Sequence, residues 1–263
     1  MDENYQTYLN RVARLTLPET HESQLQNIQE SPKFQPQNGE GRKPVDFPGY
    51  SVITPPWAVD TQNDGFYKFL HQTQAQLIKD LPENFLVSVV PDSFHLTLAD
   101  LIWDGAYRNK SQNPEFEQQL RGHVANSFAE YAQENPAIHN NRWLLLGFMV
   151  RPRAIAVCLI PKDETSYNQI LQLRRYIYQS PNLIGLGIEQ QYHFTAHITL
   201  GYFGDVSDET LGCRQRLYNN LSNLSNQWLE INSPELLVHT GEVRKFDDMT
   251  NYYRSADWGT VEF

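Results

Sequence analysis

The sequence predicts an α+β fold built from two similar lobes, on three observations. The order strand, helix, strand, helix, strand can be read twice along the chain. Each reading contains one copy of a short pattern, apolar–His–apolar–Thr–apolar. The copies are Phe94-His95-Leu96-Thr97-Leu98 and Ala196-His197-Ile198-Thr199-Leu200. Finally, 263 residues with 40% hydrophobic content suffice for one large domain or two small lobes with a real core.

The elements follow in order. Residues 5–17 form a short amphipathic helix, and 31–48, rich in Pro, Gly and charge, read as a loop. A strand is expected at 50–54. The stretch 64–81 places Phe66, Phe69, Leu70, Leu77 and Ile78 on one helical face. Strands at 85–90 and 94–102 come next, the second carrying His95 and Thr97. A helix at 114–133 and a strand at 143–150 close the first round. The second round runs strand 154–160, helix 163–178, His/Thr strand 194–203, helix 207–229 and strand 235–243. The sequence therefore divides into an N-terminal extension over 1–48, a duplicated domain over 49–245 with lobes at about 49–150 and 151–245, and a tail over 246–263. Two lobes related by a pseudo-two-fold axis would bring the two motif strands face to face.

Composition excludes several functions. A formal net charge of -10 argues against coating long nucleic acid, which needs a basic face. It leaves room for a small anion in a locally basic cleft. Two cysteines, Cys158 and Cys213, are too few for a disulfide scaffold or a cysteine-built metal site. No apolar stretch has membrane-spanning length, and the acidic start Met1-Asp2-Glu3-Asn4 is unlike a signal peptide. The expectation is a cytoplasmic monomer with no membrane contact.

The paired motifs point to chemistry. Side chains alternate along a strand, so His95 and Thr97 share one face, as do His197 and Thr199, above apolar neighbours. Metal-free phosphodiester cleavage needs one group to take a proton from the attacking oxygen and another to give one to the leaving oxygen. Histidine suits both, with an unperturbed pKa of about 6.5. The threonine hydroxyls can bond the non-bridging phosphate oxygens, where charge builds up.

With both motifs in view, the chain resembles the two-histidine (2H) phosphoesterase superfamily, whose signature is a pair of H-x-T triplets: here His95-Leu96-Thr97 and His197-Ile198-Thr199. The resemblance covers roughly residues 50–243. The stretch 39–49, ending Asp46-Phe47-Pro48-Gly49, looks like that of an uncharacterised bacterial branch. The resemblance implies two antiparallel sheets lining a central cleft with helices outside. It implies no cofactor and no metal. The implied substrates are 2′,3′-type cyclic phosphates of nucleosides or short RNA ends. It further implies His95 as acid, His197 as base, and Thr97 and Thr199 on the phosphate. One departure is the acidic surroundings: many relatives carry basic residues close to the motifs, whereas here the flanks are Asp92, Asp100, Asp104 and Asp205. They motivate a rival expectation, a nucleotide- or RNA-end-binding module without hydrolysis.

Other residues could meet the same ligand. Tyr50, Trp103, Tyr202 and Phe203 could stack a base; Tyr202 and Tyr50 are the candidates for substrate contact, with Arg153 among the cations Arg151, Arg153, Arg244 and Lys245. His193 and His197 are four apart, but a zinc helix needs Glu at 194, which is Phe194. Gly185-Leu186-Gly187 lacks the third glycine of a dinucleotide loop, and no Gly-x-Ser-x-Gly elbow occurs.

Overall fold

A computed structural model describes residues 2–37, 41–137, 139–207, 210–232 and 234–263. Helices α1 (Tyr5–Leu15) and α2 (Pro18–Leu25) lead into a small hairpin, β1 (Phe34–Pro36) with β2 (Arg42–Pro44). Then come β3 (Gly49–Ile53), α3 (Asp64–Leu77), β4 (Leu86–Ser88), β5 (Thr97–Trp103), α4 (Asp104–Lys110) and α5 (Phe116–Glu134). The next stretch holds β6 (Arg142–Arg151), β7 (Ala154–Pro161), α6 (Glu164–Tyr178), α7 (Pro181–Gly185) and β8 (His197–Phe203). The chain ends with α8 (Leu211–Trp228), β9 (Glu235–Leu237), β10 (Thr240–Phe246), β11 (Tyr252–Tyr253) and β12 (Thr260–Glu262). The fold is α+β with two antiparallel sheets. One has the order β11-β10-β3-β5, with β12 beside β10; the other is β4-β8-β7-β6-β9.

The strands are shared between the lobes differently from the division at 150/151. β6 and β7 are joined by the turn Pro152-Arg153 and pair from Trp143↔Pro161 to Arg151↔Ala154. Strands so tightly connected belong to one sheet, so β6 joins the second lobe. Conversely, β10 crosses back to pair with β3, from Glu242↔Ile53 to Phe246↔Gly49. β4 pairs with β8 and not with its sequence neighbours. Each lobe thus borrows strands from the other half of the chain, which ties the two motif strands into one body.

The N-terminal extension is joined to the core, not set apart from it. Asn4 caps α1 by accepting from the Thr7 amide. Fully buried Tyr8 then packs on Trp143, Tyr167 and Phe194, and its hydroxyl donates to the Leu159 carbonyl at 2.9 Å. The segment expected as a loop contains the β1–β2 hairpin. Gly39 and Glu40, at the start of the 39–49 match, and Asp208 and Glu209, at the start of the 207–229 helix, lie outside the described residues. The tail is also part of the sheet through β11 and β12, with Phe263 fully buried.

Gly49 admits a close crossing. A Cβ there would stand 2.4 Å from the Ile102 carbonyl oxygen and 2.7 Å from the Phe246 ring. No side chain fits, and this lets β3 lie against the end of β5. No helix of the described residues is long and apolar enough to cross a membrane.

Candidate active site

The apolar half of each motif forms core. Phe94, Leu96 and Leu98 are 1%, 0% and 0% exposed; Ala196, Ile198 and Leu200 are 0%, 1% and 1%. Burying such side chains contributes roughly 1.5–3 kcal/mol each, enough to fix which face the polar residues take. His95, Thr97, His197 and Thr199 are consequently half-buried and line one cleft of about 820 Å³.

Two matching bulges shape this wall. The register of β5 against β3 skips Leu98, and that of β8 against β7 skips Leu200. Each is the residue after the motif threonine. A bulge leaves one residue unpaired and turns the strand. Beyond it the phase changes, so the fifth residue after each histidine, Asp100 or Tyr202, also faces the cleft. The carbonyls at the bulges are met from below by buried polar side chains. Arg174 of α6, 3% exposed, donates to the Leu98 carbonyl at 2.6 Å. Gln74 of α3, also 3% exposed, donates to the Leu200 carbonyl at 2.7 Å and to that of Val89 at 2.8 Å. The pseudo-symmetry therefore extends beneath the motifs to two helices whose residues there differ in charge.

The histidines are held alike. His95 Nδ1 lies 2.6 Å from the Ser93 carbonyl oxygen, and His197 Nδ1 lies 2.7 Å from that of Thr195. A carbonyl only accepts, so each Nδ1 carries the hydrogen and Nε2 is the free nitrogen left to the cleft. Their other surroundings differ. His197 Nε2 accepts from the Arg151 guanidinium at 3.0 Å. His95 packs on the Tyr252 ring, with centroids 4.3 Å apart, and feels the negative field of Asp100. Burial pushes His95 down to about 4, with the field of His197 adding to it. His197 is also pushed down to about 4, by burial first and by Arg151 second.

Tyr202 and Arg153 line the cleft, Tyr202 with its ring 5.5 Å from that of Phe34 and Arg153 exposed at the rim. Phe203 turns into the core at 0% exposure. Tyr50 is a correction. It is fully buried away from the cleft, where its hydroxyl donates to Glu117 at 2.6 Å and accepts from Arg121 at 2.9 Å. Its neighbour Ser51 lines the cleft instead. Lys245 joins the same Glu117 cluster, and Arg244 is paired with Glu242 at 2.6 Å. Of the acidic residues, Asp104 lines the cleft but pairs with Arg108 at 3.2 Å. Asp100 accepts from the hydroxyl of Tyr192, another cleft residue to which the motifs give no pointer. Lys33, Met249 and Tyr252 were missed too, because they come from the extension and the tail. Among the described residues no three His, Cys, Asp or Glu side chains are grouped to hold a metal ion.

No family model matches the chain, and no curated protein is similar to it in sequence. Solved structures are similar in shape. A conserved protein of unknown function from Agrobacterium tumefaciens is 15% identical, with 86% of this chain and 90% of that chain covered and a TM-score of 0.52. E. coli LigT complexed with 3′-AMP is 16% identical over 83% of this chain and 95% of its own, at a TM-score of 0.36. Usb1 of Kluyveromyces marxianus is 12% identical over 83% and 98%, at 0.42. Only the first has a TM-score above 0.5, and at this identity it shows a shared fold: the chain has the fold of the Agrobacterium protein.

Proposed function

We propose that the protein is a two-histidine phosphoesterase that hydrolyses a phosphodiester without a metal, its substrate a nucleoside or oligonucleotide 2′,3′-cyclic phosphate. The observation that supports this most is the matched pair of histidines in one cleft, each with Nδ1–H tied to the carbonyl two residues back. Fixed rings need no reorganisation when a proton moves.

The asymmetry of their surroundings supports His197 as base and His95 as acid. Arg151 donates to His197 Nε2 and so favours its neutral form; when the guanidinium turns to a bound phosphate, that lone pair is freed to take a proton from water. Asp100 favours the protonated form of His95. A bound phosphodiester adds a negative charge near both rings, which raises their affinity for a proton. In the complex His95 carries hydrogen on both nitrogens. Water attacks phosphorus as His197 Nε2 takes its proton. The P–O bond to the leaving ribose oxygen breaks as His95 Nε2–H protonates it. The Thr97 and Thr199 hydroxyls donate to the non-bridging oxygens. Proton return from His197 to His95, through solvent, restores the starting state. Tyr202 offers a ring face to the base, and Arg151 offers a charge to the phosphate.

The test is phosphorus NMR on a panel of 2′,3′-cyclic nucleotides. His95→Ala and His197→Ala are each expected to lose about 10²–10⁴-fold in rate while retaining the wild-type thermal melt, and chelator is expected to leave the rate unchanged. Wild-type turnover by either variant would sink the proposal. Binding of the panel with no turnover would favour the binding-module reading.

A further inference from the structure

One wall of the cleft comes from outside the duplicated lobes. The segment after α2 is strapped across the second sheet by backbone hydrogen bonds. The Gln29 amide donates to the Pro152 carbonyl at 2.7 Å, and the Ser31 amide to that of Phe203 at 2.8 Å. Further on, the Val45 amide donates to the Lys33 carbonyl at 3.0 Å. Lys33 is thus held from both sides. Its ammonium lies 4.7 Å from the centre of the Phe47 ring and 5.1 Å from that of Tyr202. Among the described residues it has no carboxylate partner. The same holds for Arg153, which lines the cleft from the β6–β7 turn on which the strap docks.

This is an unusual place to leave cations unpaired. The chain carries a formal charge of -10. Arg11, Arg42, Arg108, Arg121, Arg142, Arg175, Lys162 and Lys245 pair with carboxylates, and Arg174, Arg214 and Arg216 donate to carbonyl oxygens. Arg151 faces His197 and so belongs with the reacting phosphate. Lys33 and Arg153 attach instead beside the Tyr202 end of β8: the Lys33 ammonium stands over the Tyr202 ring, with its charge also felt at His197, and the Arg153 carbonyl accepts from the Phe203 amide.

We propose that Lys33 and Arg153 form a second anion subsite, so that the cleft selects nucleotides bearing a second phosphate beyond the one between the histidines. Building on the phosphodiesterase reading, this makes the preferred substrate an end with a neighbouring phosphate, as in an oligonucleotide, in place of a lone cyclic mononucleotide. The strap pre-pays the ordering of Lys33, so its contact converts into affinity with little entropic loss.

Calorimetric affinities of adenosine 3′,5′-bisphosphate and adenosine 3′-monophosphate test it at fixed low salt. The two probes share base and 3′-phosphate. The wild type is expected to bind the bisphosphate roughly tenfold more tightly, the scale of one charge-assisted hydrogen bond. That ratio should fall toward one in Lys33→Ala, decrease in Arg153→Ala and return in Lys33→Arg. Equal affinities in the wild type, or an unchanged ratio in Lys33→Ala, overturn the subsite. Selectivity for the bisphosphate without turnover of any cyclic phosphate keeps the subsite and rejects the hydrolytic reading. Turnover without selectivity does the reverse, and binding of neither nucleotide overturns the subsite.

Discussion

Replacing Arg151 by Met should raise the proton affinity of His197 and leave that of His95 nearly unchanged. The guanidinium nitrogen lies 3.0 Å from His197 Nε2, so protonating the ring brings two positive charges within hydrogen-bond distance. At about 4 Å such a pair costs about 1 kcal/mol in water and about 4 kcal/mol at an effective dielectric near 20. Arg151 is exposed, which favours the low end of this range. With 1.36 kcal/mol per pKa unit, the expected rise is roughly one to two units above the starting value of about 4. Methionine keeps much of the stem and removes the charge and the donor. Burial, the larger cause, stays, so His197 should remain below the ordinary histidine value. The assay is an NMR titration of the two imidazole Cε1–H resonances in wild type and Arg151→Met, with His197→Ala for assignment. A His197 pKa that does not move, or moves down, would refute the arrangement and with it the assignment of His197 as base. At pH 7 the ring is neutral in both proteins, so any loss of turnover in Arg151→Met reports on the phosphate contact.

Three further outcomes follow from the packing. His95, His197 and His21 all have pKa values lowered by burial, so the unfolded chain binds more protons below its ordinary value of about 6.5. Stability should be fully present above that pH and fall as the pH drops toward about 4; denaturant midpoints across this window check it, and a flat or rising profile on acidification contradicts it. Arg174→Met strands the Leu98 carbonyl at the β5 bulge and should cost about 1–3 kcal/mol in chemical denaturation, with a lower kcat; unchanged stability and kcat would show that the bulge needs no such partner. Gly49→Ala forces a Cβ into the Ile102 carbonyl and should destabilise by about 1–3 kcal/mol, read as a lower thermal midpoint, whereas an unchanged midpoint would deny the close crossing.

The polar pairs were legible because their apolar neighbours fix the strand face: Leu96 and Leu98, or Ile198 and Leu200, leave only one direction for His and Thr. The same logic fails at Tyr50. Every residue of β3 is buried, so alternation carries no phase, and the register shifts against β5 hide which of Tyr50 and Ser51 meets the cleft. The lobe division failed for a topological reason. Local pattern finds strands, but which sheet a strand joins depends on partners far away, as with β10 on β3 and β4 on β8. Arg151 was named among possible cations, yet only the β6–β7 hairpin shows that it, and not Arg244 or Lys245, reaches a motif histidine. Lys33 and Tyr252 sit in segments that read as loop and tail, and their place in the cleft follows from backbone docking that leaves no periodic trace.

In the proposed function His95 and His197 work as one acid–base pair on a phosphodiester. The most direct measurement of this is phosphorus NMR of a 2′,3′-cyclic nucleotide panel with wild type, His95→Ala and His197→Ala. Wild type is expected to convert at least one cyclic phosphate to a monoester, and each variant to lose nearly all of that turnover. No turnover of any member by a folded wild-type protein, or turnover that survives the loss of either histidine, would contradict it.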